Sequence, residues 1–408
     1  MKRIELTLPF GVAYHIESYL TGNIPTVEVD IKAFHADPYD ALTSMREHTP
    51  ICYVPQLNAT LLTRHSDIVV CEKNIEVFSS EQPGGLMTVL MGENMMRKDG
   101  TAHTTERRQS LPSLSPRAVK NIWKQQFEES ADAILDELAD HAASDLACDL
   151  VKDYALPVSA HALAHITGLT NMTPDQLDSC SQGMIDGIAN YSGDAAIQQK
   201  CIESTKLIDS CIDEMQTAGA AEASLLNVLM KAGQPEASVR ANIKLAISGG
   251  QNEPRDAIAG SVYALLAHPE QLSSVINGAV SWRQVFEEYA RWMSPIGMSP
   301  RRIARAFEWN GHNFEKESRA FLMFGSGNRD ETVFSSAKHF DITRDTTKAI
   351  SFGAGPHFCA GAAASRVLIA DVALPKLFAR FPNIKLDGEV EFKGWAFRGP
   401  VSVPVRLN

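Results

Sequence analysis

Near the C-terminus the segment Phe352-Gly-Ala-Gly-Pro-His-Phe-Cys359-Ala-Gly361 places one cysteine just ahead of a helix-compatible stretch, Ala362 to Leu374. A thiolate in that position faces the unpaired N–H groups and positive dipole end of the helix, which favour the ionised sulfur and suit it to binding iron. Gly353 and Gly355 permit a tight bulge, and Gly361 lets the backbone approach a flat cofactor because no Cβ stands in the way. Two rival readings start from the same residues. Most free cysteines are simply small buried hydrophobes, and a nucleophilic cysteine also uses a helix start together with a separate histidine. Zinc or an iron–sulfur cluster would require clustered ligands, and the nearest other cysteine, Cys211, lies far up the chain.

Other groups with chemical potential are spread along the sequence. Glu288-Tyr-Ala-Arg291 puts a carboxylate and a guanidinium on one face of the helix-like stretch Trp282 to Met293; at this spacing such a pair is usually a solvated surface bridge worth about 0.2–0.5 kcal/mol. His161 and His165 share a helical face at a zinc-compatible spacing, but Ala162 stands where the metalloprotease motif has Glu, so structural packing is the expected role. Met87, Met91, Met95 and Met96 read first as adaptable core. Asn242 to Leu266 reads as a long helix broken by Ser248-Gly-Gly-Gln-Asn-Glu253-Pro254. A proline inside it removes one N–H and kinks the axis, opening backbone groups to water; both a packing kink and a proton path fit that break.

The elements that must position these groups are mostly helical. Pro38 to Glu47 predicts a helix, Ile51–Pro55 and Ala59–Thr63 a hairpin turning near Asn58, and Phe78 to Gly100 a Gly- and Met-rich loop. From Ser115 to Ala232 the pattern is helical almost throughout, as in Phe127 to Leu138, and short strands return only after Pro295. The fold class expected is mainly α with small β-sheets, in one catalytic domain over residues 1–408 with an N-terminal arm at 1–37. With 44% hydrophobic residues, the 408-residue chain can bury a sizeable core. Its net charge of −11 gives no electrostatic reason to expect nucleic acid or an anionic membrane surface. Met1 to Gly22 carries charges and no long apolar run, so neither a signal peptide nor a membrane anchor is expected. Seven irregularly spaced cysteines form no disulfide scaffold, in keeping with a reducing, cytoplasmic location.

The cysteine segment resembles the haem-binding loop of the cytochromes P-450: all six fixed positions of that pattern, Phe352, Gly353, Gly355, His357, Cys359 and Gly361, are met. Glu288 and Arg291 match the family's Glu-x-x-Arg signature, and Phe340-Asp-Ile-Thr-Arg344 resembles the segment that joins it. The resemblance covers Pro38 to the C-terminus. It implies a haem cofactor (heme b, iron protoporphyrin IX) with Cys359 as its iron ligand, the thiolate pushing electron density toward the metal and favouring O–O cleavage. It further implies that His103, Arg107, Arg302 and His357 reach the haem propionates and that Phe352 and Gly361 shape the haem seat; Arg108 is read as exposed or as part of a redox-partner surface.

In the oxygen-activating helix Glu253 fits the family's acid, whereas Gln251 replaces the usual Gly and Pro254 the usual alcohol. The implied activity is a monooxygenase using dioxygen, with electrons from a ferredoxin or flavodoxin and its NAD(P)H-dependent reductase. Glu391 to Ser402 and the Glu-Pro pair resemble those of bacterial enzymes that O-demethylate guaiacol-type aryl methyl ethers, which would place Phe397, Ile296, Met298 and Tyr191 at the small organic substrate. Against an aromatic substrate, Ser79 to Lys120 contains no Phe, Tyr or Trp. A methylated sugar such as 6-O-methyl-galactose, or hydroxylation of a terpenoid, therefore stays open, and outside this chemistry so do a haem gas sensor and a cysteine hydrolase.

Overall fold

The computed structural model describes residues 4–7, 13–16, 23–143, 147–190 and 193–408. Its architecture is a helical body with small sheets at its edges. The hairpin Ile51–Val54 and Ala59–Leu62 turns at Asn58, held left-handed at φ 46°, and is joined by Arg319–Leu322, Ser299–Ile303 and Phe78–Ser79 into a five-stranded mixed sheet. No helix among the described residues is long and apolar enough to cross a membrane.

Helical periodicity builds the body. In the helix Lys124–Ala143, Phe127, Ala131, Ile134, Leu135 and Leu138 recur on one face and are buried, each large side chain contributing about 1.5–3 kcal/mol. The helix Trp282–Met293 starts where expected, closed by a capping box between Ser281 and Gln284. It lies against the helix Asn252–Leu266 with so little space that a Cβ at Gly260 would stand 1.8 Å from Tyr289 Oη. Only glycine allows that approach.

Three expectations change. Phe78 to Gly100 is not one loop: it contains the strand Phe78–Ser79, the helix Leu86–Met91 and the turn Met95–Arg97, because Met87, Met91 and Met95 bury their side chains. Strands also occur before Pro295, since Cys148–Asp149 pairs with Pro404–Arg406, a partner distant in sequence that local periodicity does not reveal. Finally, the stretch from Asn242 to Leu266 is two helices, Glu236–Ser248 and Asn252–Leu266, separated at Gly249–Gln251. Pro254 therefore lies in a first turn, where its missing N–H costs no intrahelical bond, and does not kink a continuous helix.

Glu288 and Arg291 are not a surface bridge. Both are fully buried, with Arg291 Nε donating to Glu288 Oε2 at 2.7 Å and Nη2 to Oε1 at 2.8 Å. Arg291 Nη1 also donates to the carbonyls of Asn328 and Ala337, and Arg344 Nε donates to Glu288 Oε1 at 3.2 Å. One ion network thus anchors the irregular segment from Asn328 to Arg344, which leads into the cysteine loop. Because either partner left alone is a buried unpaired charge, Glu288→Ala or Arg291→Ala is expected to destabilise the fold by about 3–5 kcal/mol and to yield little loaded protein. Removing the exposed pair Lys124–Glu128 is expected to cost less than about 1 kcal/mol. Denaturant unfolding of the three variants checks this ordering, and equal small losses would show that the buried network carries no special weight.

Candidate active site

The cysteine loop is shaped by its glycines and fastened by its backbone. Gly353 and Gly355 adopt φ of 76° and 113°, values that other residues rarely take. Cys359 N donates to Phe352 O at 2.8 Å and Phe358 N to Gly355 O at 3.1 Å, closing the bulge. After Gly361 the helix Ala362–Arg366 runs through a π-helical stretch, Val367–Ala373, into Leu374–Arg380. Phe352 braces the loop, edge-on to Phe286 and covered by the Arg366 guanidinium at 4.5 Å. Burial pushes the Cys359 thiol above its ordinary value; the Gly361 N–H and the charges of Arg107 and Arg366 pull it back down, while Glu253 adds to the rise.

Cys359 lines a cavity of about 550 Å³. A Cβ built on Gly361 would lie 3.8 Å from Cys359 Sγ with no other atom within 4 Å, so it would project into open space beside the sulfur. His103 and Arg107, one turn apart on the helix Gly100–Leu114, face the same cavity. The His357 ring lies against that of His103 at 4.1 Å, and its Nε2 is 2.8 Å from Asp99 Oδ1. Burial, then the neighbouring His357 and Arg107, push His103 down to about 4. Burial pushes the Asp99 carboxyl up, but bonds from His357, Ser79 and Ser80 outweigh it and leave the group below its usual range. The Arg107 guanidinium has no carboxylate partner among the described residues.

Arg302 requires a correction. Its guanidinium points away from the cavity, donating to Glu317 Oε1 and to Glu81 O, both at 2.8 Å. Arg301 lines the cavity instead, 3% exposed and paired with Glu72. Successive strand residues face opposite sides, and Arg301 shares its face with the buried Ile303. That alternation was the available sequence signal. Glu72 itself belongs to no motif and had none.

The opposite wall is the broken helix. Gly249, Gly250, Glu253, Pro254 and Ala257 all line the cavity. Neither carboxylate oxygen of Glu253 has a hydrogen-bond partner among the described residues, and burial, the largest influence, pushes this carboxyl up to about 8. Ser159, contributed by the helix Leu156–Thr167, donates to Gln251 O at 2.7 Å and lines the same space, a hydroxyl that motif reading missed. Ile296 and Phe397, joined by a backbone bridge, and Met298 line the cavity, whereas Tyr191 lies outside the described residues. Met87, Met95 and Met96 also line it, and Met91 packs in the core. His161 and His165 are not among the lining residues, and the described residues contain no group of three His, Cys, Asp or Glu able to hold a metal ion.

An apolar slot with one thiol in its wall, open space beside that sulfur and a cationic edge with a guanidinium lacking a carboxylate partner fits a flat macrocycle bearing a central metal and two carboxylates. Residues 282–387 match the family model described as Cytochrome P450. The chain is 26% identical to "Cytochrome P450 107B1" of Saccharopolyspora erythraea, over 95% of this chain and 99% of that one. It is 25% identical to "Steroid C26-monooxygenase" of Mycolicibacterium smegmatis, over 93% and 96%. The structure is similar to that of P450BioI in complex with a hexadec-9Z-enoic acid-ligated acyl carrier protein, with a TM-score of 0.82 at 21% identity, covering 91% of this chain and 99% of that one. Loop, slot, cationic edge and relatives agree on a haem b monooxygenase that is similar to the cytochromes P450 over nearly its whole length.

Proposed function

We propose that this monooxygenase removes the methyl group of a small aryl methyl ether, taking electrons from a separate ferredoxin or flavodoxin and its NAD(P)H-dependent reductase. Cys359 would hold the haem iron and His103, Arg107, Arg301 and His357 would serve its carboxylates; when bound, the haem would supply reductive activation of dioxygen, one oxygen atom entering a C–H bond and the other leaving as water. Oxygenation of the O–CH₃ carbon gives a hemiacetal that collapses to the free alcohol and formaldehyde, with two electrons and two protons consumed. The observation that carries the substrate reading is Phe397: bridged to Ile296, it lines the same cavity as Cys359, together with the Glu253-Pro254 pair. In that place it holds the ether ring and directs the methyl inward. A separate electron donor fits a chain whose other six cysteines are each buried and whose sequence has no flavin-binding fingerprint. A second reading, hydroxylation of a terpenoid, is favoured by the aliphatic and thioether wall of Met87, Leu90, Met95 and Met96.

Glu253 is the proton-handling group in this proposal. Its two oxygens have no hydrogen-bond partner among the described residues, and the residue lines the cavity, where water or substrate can reach it. Ser159 supplies a hydroxyl at the break, where Pro254 supplies none.

The substrate reading is tested by offering guaiacol-type ethers, O-methyl sugars and terpenoids side by side with a surrogate ferredoxin system, measuring formaldehyde against NAD(P)H oxidised. Formaldehyde from the aryl ethers is expected, and Phe397→Ala should weaken binding and divert electrons to peroxide. No formaldehyde from any ether, with a terpenoid hydroxylated, leaves only the monooxygenase activity standing. Glu253→Gln should lower product per NAD(P)H and slow turnover by roughly 10²-fold. The same variant has a pH signature. The folded chain holds the Glu253 proton up to about pH 8, whereas the unfolded chain releases it near 4.5, so wild-type stability declines across that window for this group. Glu253→Gln should match wild type at the acid end and gain on it as pH rises toward 8, in denaturant unfolding at a series of pH values; a constant difference would contradict the buried, protonated carboxyl.

A further inference from the structure

Glu72 stands in the last turn of the helix His65–Lys73, outside every recognised motif, yet its side chain is 1% exposed and lines the cavity with Cys359. Its carboxylate makes two contacts that belong to different walls of the site. Oε1 is bonded to Arg301 Nη2, and Oε2 accepts the Ala354 N–H of the cysteine loop at 2.9 Å. The contact is tight. A Cβ at Gly353 would come 2.9 Å from Glu72 Oε2, and one at Gly355 would come 3.0 Å from Glu72 O. The glycines that shape the bulge therefore also let the loop settle onto this one residue. Among the described residues Arg301 has no other carboxylate partner: Nη1 donates to Ser299 Oγ at 2.5 Å and to Pro300 O at 2.8 Å, and Nε has no partner there.

We infer that Glu72 is a positioning residue for the haem, fixing Arg301 and the cysteine loop relative to each other and offsetting the Arg301 charge at the haem edge. Two consequences follow from chemistry alone. Arg301 held by Glu72 keeps its guanidinium oriented across the slot, as outer-shell partners orient direct ligands. The neighbouring carboxylate also lowers the positive potential at the iron; because reduction adds one negative charge to the haem, losing that carboxylate favours the reduced form. The inference rests on Cys359 as the iron ligand.

The test uses loaded protein and three variants. Glu72→Gln keeps an acceptor for the Ala354 N–H but loses the charge. It should release haem to an acceptor apoprotein about 10–100-fold faster than wild type and show a higher ferric/ferrous midpoint potential. Glu72→Asp, which restores the charge, should recover part of both, and it decides the matter if Glu72→Gln yields no loaded protein. In the double variant Glu72→Gln, Arg301→Gln, haem loss should be no faster than with Arg301→Gln alone, since Glu72 acts through that guanidinium. Wild-type haem retention and potential in Glu72→Gln, no recovery in Glu72→Asp, or additive losses in the double variant would each overturn the inference while leaving thiolate ligation intact. A wild-type spectrum without thiolate ligation would instead remove the premise.

Discussion

To ligate a metal, the Cys359 sulfur would have to carry negative charge in a place where burial opposes it, and the groups around it bear on that charge. Burial raises the Cys359 thiol; the protein answers with the Gly361 N–H and the guanidinium groups of Arg107 and Arg366. Those contributions do not outweigh burial on their own, and a cation bound at the sulfur would offset what remains. The bulge at Gly353 and Gly355 then serves to hold the sulfur on the cavity wall, with Gly361 leaving open the space beside it.

Charge placed inside the molecule is balanced by two separate buried networks. Glu288, Arg291 and Arg344 tie a helix to the long irregular segment before the loop. Glu72 and Arg301 tie the strand Ser299–Ile303 to the loop itself. Buried ion pairs of this kind add little net stability over apolar packing, but breaking one is costly, so they act as fixed joints. In the proposed reading a braced floor and an interrupted helix opposite it divide the work: the floor would hold the cofactor, and the break at Gly249–Gln251 would serve protons and substrate.

Much of this was legible from local sequence. The cysteine loop, the helix Trp282–Met293 and the interrupted helix before Leu266 announce themselves through fixed residue types at short spacing, where local chemistry and geometry coincide. What escaped depends on facing or on distant partners. Arg301 and Arg302 differ by one residue, and strand alternation sends them to opposite sides. The strand Cys148–Asp149 exists because Pro404–Arg406 comes beside it. Pro254 looked like a kink only while two helices were read as one, and Ser159 and Glu72 reach the site from segments with no motif at all.

The central claim is that Cys359 ligates the haem iron through its sulfur, and one absorption spectrum tests it most directly. Reduced protein under carbon monoxide should show the strongly red-shifted Soret band of thiolate ligation, and Cys359→Ala should lose that band. A wild-type Soret position typical of histidine ligation, or its persistence in Cys359→Ala, would contradict the account.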